Sequence, residues 1–168
     1  MVTGDQGYIG AVLVPMLKDK GYEVVGYDAG YFTENVLQPL KETHKKIKKD
    51  IRDVNISDLE GVDAIIHLAG LSNDPLGDFL PKLTEDINYS GTIRLAELAQ
   101  RCGVSRFVYA SSQSMYGISD SSNELDEDNS AKNPVTAYAI AKWRAEQKLH
   151  TMSTEKFVVT SIRPSTVF

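Results

Sequence analysis

Tyr138 and Lys142 stand four residues apart in a stretch patterned as a helix, so their side chains share one face. A phenol with an ordinary pKa near 10 is a poor base at neutral pH. An adjacent ammonium favours the phenolate, and a shift of about three units amounts to roughly 4 kcal/mol of differential stabilisation. Upstream, Ala110-Ser111-Ser112-Gln113-Ser114-Met115-Tyr116-Gly117 leaves a predicted strand. A serine hydroxyl there can hold a substrate oxygen while the tyrosine moves its proton. Turn hydrogen bonding is the other use open to Ser111 and Ser114. Tyr-x-x-x-Lys arises often by chance, so its weight rests on its surroundings.

The first of those surroundings is Thr3-Gly4-Asp5-Gln6-Gly7-Tyr8-Ile9-Gly10, with glycines three residues apart. Gly4 permits a tight turn out of a strand, Gly7 lets backbone approach a pyrophosphate, and Gly10 lets the next helix pack on the sheet. The helix start at Tyr8 and Ile9 then offers unpaired amides and a positive dipole end to the anion. A second strand ends at Asp28, where a carboxylate can accept both ribose hydroxyls of adenosine. That carboxylate repels a 2′-phosphate and no arginine follows it closely, so NAD is expected rather than NADP.

Elements that hold these groups alternate along the chain, the pattern of a parallel sheet covered by helices. Strands are predicted at 1–3, 23–27, 46–49, 64–68, 106–110 and 157–162. Helices are predicted from Tyr8 to Gly21, over 83–102 and over 136–150. Gly21 and Gly103 serve as left-handed stops, and Pro15 is expected to kink the first helix. In the longest helix Ile87, Gly91, Leu95, Leu98 and Cys102 recur as one buried stripe. The expected fold is a Rossmann-type, doubly wound α/β sheet forming one NAD(P)-binding domain over 1–168. Only three residues precede the glycine turn and Phe168 follows directly on a strand. The chain therefore reads as trimmed at both ends, without its C-terminal substrate region.

Composition narrows the class of partner. A net charge of −5 gives no basic field for nucleic acid or an anionic membrane. No apolar run reaches membrane-spanning length and no signal peptide is visible, so a cytoplasmic location is expected. One cysteine, Cys102, cannot build an internal disulfide framework and suits a reducing compartment. No metal-ligand spacing is seen. Lys45, Lys46, Lys48 and Lys49 read as a solvated strand edge, flanked by Glu42 and Asp50. The acidic stretch 120–133 reads as a surface loop that could lie over the active site.

Taken in order, TGDQGYIG, Asp28, Asp50-Ile51-Arg52, His67-Leu68-Ala69-Gly70, Asn88 with Thr92, SSQSMYG, Tyr138 to Lys142 and Ile162-Arg163-Pro164 cover essentially the whole chain. This series resembles the extended short-chain dehydrogenase/reductase family, the NAD-dependent nucleotide-sugar epimerases and dehydratases. The resemblance implies Ser112 as the catalytic hydroxyl, Tyr138 as general base and Lys142 as its partner on the nicotinamide ribose. It implies adenine contacts at Asp50 and Ile51, and a cofactor-side segment at Leu68, Ala69 and Gly70. Asn88 matches the helix asparagine that supports the site, a purely structural role being the alternative. His67 is expected in the core without an evident partner.

Sugar 4,6-dehydratases of the family carry Asp-Glu where this chain has Gln113 and Ser114, and neither of these is a general acid at ordinary pH. Epimerase–reductases making deoxy-sugars have cysteine at the Gln113 position. The expectation is therefore a 4-epimerase-type reaction on a nucleotide sugar, in which Tyr138 removes a hydroxyl proton as hydride passes to NAD. A reductase or dehydrogenase and a non-catalytic NAD-binding regulator remain open alternatives. The resemblance also implies a homodimer formed through the helices of Asn88 and Tyr138.

Overall fold

A computed structural model describes residues 1–33, 44–72, 74–118, 124–165 and 167, with helices on both faces of a parallel sheet. The strands are β1 (Val2–Thr3), β2 (Val25–Asp28), β3 (Lys45–Lys48), β4 (Ala64–His67), β5 (Arg106–Ala110) and β6 (Val158–Ile162). They pair in the order β3-β2-β1-β4-β5-β6, every pairing parallel. Sequence order reverses at β1 and β4, and open α/β sheets bind ligands beyond the carboxyl ends of strands at such a point. β1 is short, but the main-chain bonds continue past it: Gly4 N donates to Tyr27 O and Leu68 N to Thr3 O.

β2 is displaced from the predicted 23–27, because Asp28 still pairs with Lys48 and Lys49 N donates to the Asp28 carbonyl. β3, with its lysines, lies at the sheet edge as expected. Four helices were to some degree legible: α1 (Tyr8–Asp19), α3 (Pro81–Glu85), α4 (Thr92–Arg101) and α5 (Ala137–Met152); α2 (Asp74–Phe79) was not predicted. α1 continues four residues beyond Pro15. Gly21 and Gly103 take left-handed φ of 85° and 81°, ending α1 and α4.

The predicted helix over 83–102 is in fact three pieces. α3 opens at Pro81, where the missing N–H costs nothing. A π-helical segment, Asp86–Gly91, then leads into α4. The wider π turn lets Ile87, Asn88, Gly91 and Thr92 all face inward, at 6%, 1%, buried and 1% exposure.

Alternation along β4 and β5 sends Ile65, His67, Phe107 and Tyr109 to one face, all fully buried. They meet Leu95, Ala96 and Ala99 of α4 and Ala145 and Leu149 of α5 in the main core. A smaller cluster of Val2, Val14 and Val24 lies under α1. Residues 120–123 of the acidic stretch lie outside the described residues. Its remainder is mostly exposed and strapped down where Arg163 Nη1 donates to Glu127 O at 2.8 Å. No described helix is long and apolar enough to cross a membrane.

Candidate active site

The opening turn is built by steric necessity. Gly4 has φ +72°, and a Cβ there would stand 2.8 Å from Ala69 N. A Cβ on Gly10 would strike the Gly4 carbonyl and lie 2.6 Å from Asp5 Cα, so only glycine lets α1 close on the turn. Gly7 differs, since a Cβ there meets nothing nearer than Gly4 O at 3.3 Å. It is the N-cap of α1 and no side chain caps that end, which leaves the first amides, near exposed Tyr8 and partly exposed Ile9, available to an anion.

Asp28 closes this end of the sheet. Its Oδ2 accepts from Gln6 N in the turn at 3.3 Å and its Oδ1 from Gly30 N at 2.7 Å. Beyond β3, Asp50 accepts from Arg52 Nε and Nη2 and from Tyr31 Oη, at 3.0, 2.8 and 2.7 Å. The Arg52 guanidinium holds its carboxyl well below the usual range. Ile51 beside it is buried.

Residues 68–71 run from the turn to the Tyr138 side. Ala69 N donates to Thr3 Oγ1 at 3.3 Å. Leu71 is gripped at both main-chain groups by Asn88, whose Oδ1 accepts at 2.8 Å and whose Nδ2 donates at 2.9 Å. A Cβ on Gly70 would lie 2.9 Å from Asn88 Oδ1 and 3.7 Å from Lys142 Nζ. The glycine turn and the Lys142 ammonium are thus joined through one four-residue segment.

Ser112, at 8% exposure, caps a 3-10 turn over Gln113–Tyr116. It accepts from Ser114 N and donates to Ser114 Oγ, both at 3.1 Å. Thr136 caps α5, which presents Tyr138 and Lys142 one turn apart. Lys142 Nζ donates to Ala110 O at 2.7 Å and lies 5.0 Å from the Tyr109 ring centre and 5.9 Å from that of Tyr138. Burial lowers the Lys142 pKa to about 8.

The family described as "NAD dependent epimerase/dehydratase family" matches residues 1–168. This chain belongs to that family. The UDP-glucose 4-epimerase of Bacillus subtilis (strain 168) is 30% identical over 167 residues, taking in 92% of this chain and 48% of that protein. The dTDP-D-glucose 4,6-dehydratase of Mus musculus is 30% identical over 179 residues, covering all of this chain and 50% of its own. Among solved structures, MoeE5 in complex with UDP-glucuronic acid and NAD aligns with a TM-score of 0.81 and 30% identity. That alignment covers 96% of this chain and 52% of MoeE5. The chain spans about half the length of these three proteins.

Two expectations from sequence need correction in this epimerase/dehydratase chain. Tyr138 is not shifted toward its phenolate overall: burial pushes its pKa up, opposed by the nearby Ser112 hydroxyl and reinforced by the Asp74 charge. The ammonium that spacing placed beside it is engaged by Ala110 O. His67 is in the core, fully buried, but it is not without partners. Its Nδ1 lies 2.6 Å from Thr3 Oγ1 and its Nε2 2.8 Å from Thr92 Oγ1. Thr92 Oγ1 donates to Asn88 O at 2.9 Å, so Nε2 must donate to Thr92; Nδ1 then accepts from Thr3. A directed chain links the opening turn to Asn88, and burial holds this imidazole neutral with a pKa near 3.

Other groups escaped the sequence reading. Asp5 and His44 form a buried contact, Oδ2 to Nε2 at 2.8 Å, beneath the turn. A Cβ on Gly26 would strike Asp5 Oδ2 and lie 2.6 Å from His44 Nε2, so β2 needs glycine where the pair passes. The 39-residue separation left no local signal. Glu146, 1% exposed, receives Arg163 on the same face of α5 as Tyr138 and Lys142. A carboxylate at that spacing was the available clue. Among the described residues the Ser111 hydroxyl has no hydrogen-bond partner, while Ser114 lies in the turn with its N donating to Ser112 Oγ and its Oγ accepting from it.

Proposed function

We propose that this chain is the coenzyme-binding part of an NAD-dependent nucleotide-sugar 4-epimerase. The observation that supports it most is the short path from turn to proton-transfer group, with Gly4 against Ala69 and Gly70 against Asn88 and Lys142. The residues present suit NAD: an uncapped helix start for a diphosphate, an open flank at Gly7, and the Asp28 carboxylate as acceptor for ribose hydroxyls. The chemistry that bound NAD would supply is reversible acceptance of a hydride from a sugar carbon. Tyr138, in its phenolate form, would take the proton of the hydroxyl on that carbon and later give it back, while Ser112 Oγ would hold the same oxygen. Lys142 would hold ribose hydroxyls with the donors that its bond to Ala110 O leaves over. Asp50 and Ile51 would flank adenine, Leu68, Ala69 and Gly70 would wall the cofactor cleft, and Asn88 would brace that wall through Leu71.

The mouse relative is a dehydratase, yet Gln113 and Ser114 offer no acid beside Ser112, which favours epimerisation here. The substrate proposed is a nucleotide sugar, held largely by a further region of a longer protein. Calorimetry with NAD on this chain, compared with Tyr138→Phe, separates binding from chemistry. The longer protein with bound NAD should interconvert a 4-epimer pair without added coenzyme. Inactivity across a panel of nucleotide sugars would overturn the reading, and stoichiometric NAD(P)H turnover would favour a reductase. We further propose a homodimer through the helices of Asn88 and Tyr138, which sedimentation at several concentrations would test.

A further inference from the structure

Unpredicted α2 sits on the amino end of α5. The Thr136 hydroxyl donates to Asp74 Oδ1 at 2.5 Å, and the same oxygen accepts from Ala139 N at 3.1 Å. Ala137 N donates to Asp78 Oδ1 at 3.4 Å. Between these carboxylates is Gly77, where a Cβ would come within 3.2 Å of both Tyr138 N and Tyr138 Cβ. Two anions and a glycine therefore bracket the first turn of the helix on which Tyr138 stands. The free amides and positive dipole end there favour such a clamp.

We propose that Asp74 is a positioning and charge-setting residue for Tyr138, acting through Thr136. The inference rests on the reading of Tyr138 as the proton-transfer group. The Asp74 bond to Thr136 fixes which way the hydroxyl points, and so which lone pair caps α5. The Asp74 charge also opposes a second negative charge on the neighbouring phenol, which contributes to the raised pKa of Tyr138 after burial. Other groups facing Tyr138 are Lys142 from its own helix, Tyr109 from β5, the Ser112 hydroxyl from the 3-10 turn, and Asp78 from α2. Of these groups and Asp74, Asp74 is the carboxylate that both bonds the capping hydroxyl of α5 and acts by its charge on Tyr138. Besides burial, a carboxylate outside every motif quoted above would then add to the pKa of the phenol.

Asp74→Asn keeps an acceptor for Thr136 and removes the charge; Asp74→Glu keeps the charge. Tyr138 ionisation can be read in the 168-residue chain by 13Cζ NMR of labelled tyrosine at pH 10.5, with Tyr138→Phe assigning the signal. Asp74→Asn should raise the tyrosinate-to-phenol ratio about threefold, equivalent to half a pH unit, while Asp74→Glu leaves it as in the parent. Where Asp74→Asn does not fold by circular dichroism, Asp74→Ser is the neutral variant measured instead. An unchanged or smaller ratio in the neutral variant overturns the proposal. NAD calorimetry on the same samples keeps the two readings apart: a shifted ratio without NAD binding defeats the coenzyme assignment and leaves the Asp74 effect standing.

Discussion

The Arg163 guanidinium grips the Glu146 carboxylate twice, from Nη2 at 2.6 Å and from Nε at 3.1 Å. Glu146 is one turn past Lys142 on α5, and Arg163 leaves the carboxyl end of β6, so the pair fastens the helix of Tyr138 to the sheet. Arg163 also donates to Tyr116 Oη at 2.7 Å, adding the 3-10 turn behind Ser112 to the same knot. Removing one member strands the other charge in the interior. Arg163→Leu should destabilise the chain by about 3–5 kcal/mol in urea unfolding, and Glu146→Leu combined with Arg163→Leu should cost less than Arg163→Leu alone.

Lys142 sets stability against use. Its pKa of about 8 in the fold lies below the ordinary 10.5, so the unfolded chain binds the proton more tightly between those values. Stability therefore rises as pH climbs from 8 to 10.5, and the cost is fully present below 8. Lys142→Met should stabilise the chain at pH 7 by up to about 3 kcal/mol, less what the bond to Ala110 O contributes, and should flatten that alkaline rise. Thermal melts of both proteins from pH 7 to 10.5 would decide it.

His67 makes a spectroscopic prediction. In 15N-labelled chain its ring should show protonated Nε2 and bare Nδ1, unchanged from pH 8 down to the onset of unfolding. A titration midpoint near 6.5 would contradict the directed chain from Thr3 to Asn88. The sign for stability is opposite to the usual His with an acidic partner. With a folded pKa near 3, neutral His67 contributes fully above 6.5, and that contribution is lost as pH falls toward 3.

The glycines divide by what they touch. Gly10→Ala should abolish measurable NAD binding by calorimetry, because its Cβ collides with main chain that cannot retreat. Gly7→Ala meets only Gly4 O at 3.3 Å and should weaken binding without abolishing it.

Asp28 should govern which coenzyme is taken. Asp28→Ala removes the carboxylate bonded to Gln6 N and Gly30 N, so NAD affinity should fall about tenfold while the gap to NADP narrows. A parallel loss for both coenzymes would show that Asp28 shapes the turn without reading the ribose.

Much of the sheet was legible because glycines punctuate it and apolar runs mark its strands. Gly4, Gly21 and Gly103 take the left-handed conformations their positions demanded. α2 was hidden by its own composition: Pro75 and Gly77 stand within six residues that carry no apolar period. The π segment was invisible for a different reason, since its stripe of Ile87, Gly91 and Leu95 reads the same in either winding. Of the site, spacing paired Tyr138 with Lys142 and the family resemblance added Ser112, but neither carries information on burial. Burial is what raises the phenol and lowers the ammonium, and the Asp74 charge, far from Tyr138 in the chain, adds to the first.

The wide turn at Asp86–Gly91 also makes the length of this stretch matter more than its composition. One residue fewer would restore an ordinary α-helix, a change that local energetics would welcome. Yet everything upstream would swing by about 100° around the axis. α3 and α2 would be carried away from the first turn of α5, and Tyr138 would keep its neighbours on the sheet while losing those above it. A shortened chain of this kind could fold more firmly and still have an open, misdirected cleft.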